Sequence, residues 1–112
     1  MAVRAHSNSP QQLLNEINAA IRAGKVLTWQ LDSEGDFTHS PEQWRNQAWF
    51  RPTIEPGMLV FKILGRKDVR MSTEVYAVYH GRFIEMLLAH FDHRFSTVSS
   101  TAQPVVGEYV GL

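Results

Sequence analysis

Residues 71–95 read MSTEVYAVYHGRFIEMLLAHFDHRF, and their spacing predicts one long helix. Ser72 suits the N-cap, and Glu74 suits the positive end of the helix dipole. His90, His93 and Arg94 fall in the last turns, where positive charge is favoured. At about 100° per residue, Val75, Tyr76, Tyr79, Phe83, Met86 and Leu87 share one face. Ala77, Ile84, Leu88 and Phe91 form a second apolar face beside it. Glu74, Gly81, Arg82, Glu85 and Asp92 are left as a narrow polar strip.

A helix lying on one sheet needs an apolar stripe only a little over about 100° wide, and this one is apolar over roughly two thirds of its circumference. Two sides therefore ask for cover. The chain's own sheet covers one; an N-terminal helix or a second subunit covers the other. Gly81 in mid-helix costs about 1 kcal/mol relative to alanine, and close approach of another backbone is one reason to keep it. Gly81, Ile84, Leu88 and Phe91 are therefore the candidate partner-binding residues, with a homodimer as the expected assembly.

Upstream, residues 1–8 read as a flexible N-terminus. Ser9-Pro10-Gln11-Gln12 carries the signals of a helix start, with serine as cap, proline at the first helical position and glutamine placed to complete a capping box. Leu13, Leu14, Ile17, Ala20 and Ile21 recur at helical spacing, and Gly24 is the expected stop. Residues 26–31 then alternate as a strand, with Leu27, Trp29 and Leu31 on one side. Asp32 to Asp36 is a turn, and residues 37–39 make a short returning strand. Ser40-Pro41-Glu42-Gln43 predicts a single helical turn through Trp44. Residues 47–54 and 58–64 follow as strands, joined by a Glu55-Pro56-Gly57 turn in the order a type II turn wants. Residues 96–101 are β-prone but small and polar, and 102–112 are a tail, an edge strand or an arm laid on a partner.

The expected fold is α+β: an antiparallel meander of three or four strands, with an N-terminal helix and a long C-terminal helix on one face (α-β-β-β-β-α). Residues 9–101 form its single domain. A chain of 112 residues buries roughly 60–70% of its unfolded surface, enough for a core without staples. It has no cysteine, which removes thiol chemistry and fits a reducing cytoplasm. The start lacks the apolar core of a signal peptide, and no run approaches the roughly 20 apolar residues of a membrane span.

The 11 basic and 11 acidic residues cancel but are unevenly placed. Asp32, Glu34, Asp36 and Glu42 sit without a base among them, whereas Arg45, Arg51, Lys62, Arg66, Lys67 and Arg70 follow against only Glu55 and Asp68. Residues 44–51 interleave Trp44, Trp49 and Phe50 with Arg45 and Arg51. On a strand, Trp49 and Arg51 share one face and Phe50 the other. If Phe50 enters the core, Trp49 and Arg51 face outward, where arginine and aromatic rings with Lys62 can stack bases and neutralise phosphate. The even charge balance weighs against that use.

His90 and His93 are spaced i, i+3, but a zinc site needs at least three protein ligands; a capping or hydrogen-bonded histidine is the commoner outcome. Asp32-x-Glu34-x-Asp36 lacks the glycine and the closing glutamate of an EF-hand loop and reads as an acidic turn. Tyr76 and His80, i, i+4 neighbours, permit an acid–base pair, and with Tyr79 and His39 a ligand pocket. The commoner arrangement is a core-edge tyrosine beside a surface histidine. No GxSxG, P-loop or GxGxxG is present. The expectation is a small cytoplasmic accessory protein that acts by protein contact, without catalysis, cofactor, metal or membrane. Single-stranded nucleic-acid binding through Trp44, Arg45, Trp49, Arg51 and Lys62 stands second. A ligand or enzyme pocket at Tyr76 and His80 stands third.

Overall fold

The structure, a computed structural model, describes residues 2–111. Its elements in chain order are β1 (Ala2–His6), α1 (Pro10–Arg22), β2 (Trp29–Leu31), β3 (Phe37–His39), β4 (Ala48–Glu55), β5 (Met58–Gly65), α2 (Thr73–Phe91) and β6 (Thr97–Ser100). One antiparallel sheet of six strands has the order β2-β3-β4-β5-β1-β6. The α+β class and the two helices on one face agree with the sequence, but the sheet is larger than the expected three or four strands.

The difference lies at the two ends. Ala2–His6 is no flexible lead-in: it is a strand inserted between β5 and β6, pairing Val3 with Phe61 on one side and with Ser100 on the other. Its Val3 and Ala5 enter the core. Five residues of Ala, Val, Arg, Ala and His give little local strand preference; the pairing comes from the neighbours, which satisfy the backbone on both edges. Residues 97–100 then close the sheet as its outer strand.

The C-terminal segment is also built in. Among the described residues β1 begins at Ala2, opposite Lys62, so residues 63–65 of β5 have no described partner in β1. Tyr109 pairs there by a parallel bridge to Leu64: the Gly65 amide donates to the Tyr109 carbonyl (2.6 Å) and the Tyr109 amide to that of Ile63 (3.1 Å). The Ile63 amide also donates to Glu108 Oε2 (2.7 Å). Burial holds the Glu108 carboxyl above its ordinary pKa. Gly111 lies at φ +88° against the Arg70 backbone, where a Cβ would come within 2.6 Å of Arg70 Cα, so no other residue fits. Leu112 lies outside the described residues.

Both helices cover the sheet face that carries Phe37, Phe50, Leu59, Phe61 and Ile63. Leu13 and Ile17 of α1 are buried there. Ser9 is the N-cap of α1, with Pro10 at the first position, but its side chain makes no cap bond, so the expected capping box does not form. Ser72 does cap α2, accepting from the Val75 amide at 3.1 Å. Phe83 sits at the centre of an aromatic cluster, with ring centroids 4.6 Å from Phe61, 4.7 Å from Phe50 and 4.8 Å from Trp29.

Candidate functional site

The core-facing side of α2 consists of Tyr76, Tyr79, His80, Phe83, Met86, Leu87 and Phe91. This corrects the sequence reading at Phe91, which belongs to the core and not to a second face. The other residues of that face lie away from the core centre. Ile84 is half-buried at the core margin, Leu88 is 51 % exposed, and Ala77 and Gly81 are open to solvent. A Cβ at Gly81 would meet nothing within 4 Å. Packing inside one chain therefore gives no reason for this glycine.

The direction of this flank follows from its neighbours. At helical spacing Thr73 lies on the same side as Ile84, and it lines a cavity with Ala102, Gln103 and Pro104, just past β6. Val75, on the opposite side, faces Gln47 and Arg66 at the far end of β4 and β5. α2 approaches the sheet over β1 and β6. The Ala77–Ile84–Leu88 flank thus lies on the β6 side of the helix, and Val98 of β6 is partly buried against the core.

β6 is an open edge. Thr101 donates its amide to Ala2 (3.0 Å), so by antiparallel alternation Thr97 and Ser99 also turn their backbone groups toward β1. Val98 and Ser100 turn theirs outward, and nothing among the described residues pairs with them. Natural edge strands are commonly blocked by lysine, proline or a covering segment. Residues 95–103 contain no charge and no proline. The tail covers a different part of the sheet, with Gly107 beside the Lys62 side chain.

The outer sheet face places Trp49 and Arg51 as the alternation predicts, opposite Leu64 and Lys62. Arg51 is engaged: Nη2 contacts Asp36 Oδ2 at 2.8 Å and Glu34 Oε2 at 3.2 Å, and Nε donates to Asp36 Oδ1 at 3.1 Å. Asp36 holds the guanidinium pKa above its ordinary value. Asp32 Oδ1 accepts the Glu34 and Asp36 amides, both at 2.9 Å, which folds the turn. Among the described residues, these three acids are the one group close enough to share a cation, and Arg51 already bridges two of them. The groove beside Trp49 is therefore lined by Asp32, Glu34 and Asp36, which repel phosphate. Trp44 packs on the core edge, while Arg45 lies exposed and donates to Ser40 O at 3.1 Å.

The tyrosines and histidines are drawn into the interior. The Tyr79 hydroxyl donates to the Trp44 carbonyl and lies 3.1 Å from Thr38 Oγ1. Thr38 in turn donates to Ala48 O and accepts the Asn46 amide, so this network fixes the 41–47 turn to α2. His80 is buried, contrary to the surface position expected of it. Its Nδ1 lies 2.6 Å from Tyr76 O, and its ring stacks on that of Tyr76 with centroids 4.4 Å apart. Stacked rings are not the geometry of a hydroxyl–imidazole proton pair. His39 stacks on Trp29 at 4.5 Å and has Nδ1 2.7 Å from Thr28 O; burial lowers its pKa. His90 is exposed in the last turn of α2, and His93, just past the helix end, is exposed and contacts Asp92 at 3.6 Å.

The β6 edge was missed from sequence, because its small polar residues carry no alternation and its position depends on where β1 goes. No family description, curated protein or solved structure matches the chain. No helix of the described residues is long and apolar enough to cross a membrane.

Proposed function

We propose that this protein works by self-association, with a second copy docking on the β6 edge and the β6-side flank of α2. The observation that carries this reading is the juxtaposition of unpaired backbone at Val98 and Ser100 with exposed Leu88 and half-buried Ile84. Two β6 strands related by a two-fold axis pair antiparallel, and each donor then meets an acceptor of the identical strand. The edge is uncharged, so like charges do not oppose this pairing, and the net charge of zero adds no long-range repulsion between copies. Ala77 and Gly81 let two α2 helices approach above the joined sheets, and Ile84 and Leu88 lose their remaining water. The role is that of a binding protein, without a catalytic step assigned to it.

Sedimentation velocity across the micromolar range tests the reading. The wild-type chain should sediment as a dimer. Leu88→Glu and Ser99→Lys, both at exposed positions, should give folded monomers. A wild-type chain that stays monomeric at every concentration overturns the proposal, as does a dimer unmoved by both substitutions.

A further inference from the structure

The C-terminal segment is held by polar contacts with little burial. No residue from 101 to 111 is fully buried, and Val106 is 91 % exposed. Of these residues only Val110 packs partly against the core. Hydrogen bonds do the holding. Ile63 and Gly65 turn their amides to the segment, one to the Glu108 carboxylate (2.7 Å) and one to the Tyr109 carbonyl (2.6 Å). The Tyr109 amide returns a bond to the Ile63 carbonyl (3.1 Å), and the Met71 amide donates to Val110 O (2.8 Å). The other Glu108 oxygen accepts the Val105 amide (2.9 Å), so one side chain both folds the segment and docks it.

Segments with few buried contacts open locally, at a fraction of the cost of global unfolding. Opening here bares a defined surface. Residues 63–65 of β5 pair with β4 on one side, and among the described residues only the C-terminal segment meets the other. Once free, the Ile63 and Gly65 backbone groups form a strand-addition site, where main-chain bonds supply the affinity. Gly65 shapes it: a Cβ there would lie 3.3 Å from the Tyr109 carbonyl, so the missing side chain admits an added backbone.

We propose that the C-terminal segment is a releasable strap, the internal competitor for a peptide-binding site at the end of β5. The ligand is an extended segment of a different protein, with a carboxylate side chain directly before the residue that takes the place of Tyr109. A second copy of this chain brings the same segment at micromolar concentration, against an effective concentration of about millimolar for the tethered one, and does not displace it. β1 stands between this site and the β6 edge, and the site does not depend on the dimer.

Native-state amide exchange, read by NMR on the full chain, tests the strap. The Ile63, Gly65, Met71 and Tyr109 amides should share one opening equilibrium, and should exchange faster than Leu64, whose amide faces β4 by alternation. Glu108→Ala should speed all four by about tenfold, through the loss of its two accepted bonds, and leave Leu64 unchanged. Gly65→Ala crowds the Tyr109 carbonyl but keeps the carboxylate, and should speed Ile63, Met71 and Tyr109 together. A synthetic peptide of residues 103–111 is the probe for the site itself. It should give saturable shifts at the Ile63 and Met71 amides of the Glu108→Ala chain, and bind the wild-type chain about tenfold more weakly because the tethered segment competes. The same peptide with its glutamate changed to alanine should bind neither chain. Exchange of the four amides only together with Leu64, unrelated rates among them, equal peptide binding to both chains, or no saturable shift at millimolar peptide each overturns the proposal.

Discussion

His39 lies against Trp29, with Nδ1 on the Thr28 carbonyl and with Arg82 and Glu85 of α2 near enough to act on its charge. Burial is the largest influence and lowers its pKa; Arg82 lowers it further, while the Thr28 bond and Glu85 oppose the shift. A base whose folded pKa is depressed binds fewer protons folded than unfolded. Its neutral form therefore supports the fold above the ordinary histidine pKa, and that support is lost as pH falls below it. Urea denaturation between about pH 5 and 8 should show stability dropping on the acid side, by more in the wild-type chain than in His39→Phe. Parallel pH profiles for the two would remove His39 from this role. At this scale the sequence was partly legible. Alternation alone placed Trp49 and Arg51 on the outer face, because a strand's period of two leaves no other choice. Neither the burial of His80 nor the capture of Arg51 by Asp36 could be read, since both depend on contacts between elements far apart in sequence.

α2 is the element most fully written in local sequence. Its Ser72 cap and its core stripe lie where the 3.6-residue period puts them. What the period could not give was the fate of Phe91, which reaches the core because the helix end lies over β1 and β6. Gly81 remains without an internal reason, and that gives a measurement at this scale. In an isolated chain Gly81→Ala should stabilise by about 1 kcal/mol, since alanine is the better helix former and the space is open. In the dimer the added methyl groups stand between two α2 helices, so the same substitution should weaken association while raising monomer stability. Urea denaturation at low concentration, paired with sedimentation at high concentration, separates the two effects; an unchanged dimer would mean that α2 does not approach its copy at Gly81. β1 was illegible for the opposite reason. Its five residues have no preference of their own, and they are ordered by β5 and β6.

At the scale of the molecule, the sheet order follows from β1. Because the first strand enters between β5 and β6, the last strand becomes an edge, and α2 ends above that edge with one flank uncovered. The other edge, β2, is only three residues long and is followed by the acidic turn. The β6 edge is uncharged and bordered by apolar side chains of α2, and self-association through it is the central claim. Amide hydrogen exchange as a function of protein concentration tests this most directly. Thr97 and Ser99, which face β1, should be protected at all concentrations. Val98 and Ser100 should exchange fast when the protein is dilute and become protected as its concentration rises through the micromolar range. If Val98 and Ser100 exchange at the same fast rate throughout, the β6 edge stays open to water and the account of this surface is contradicted.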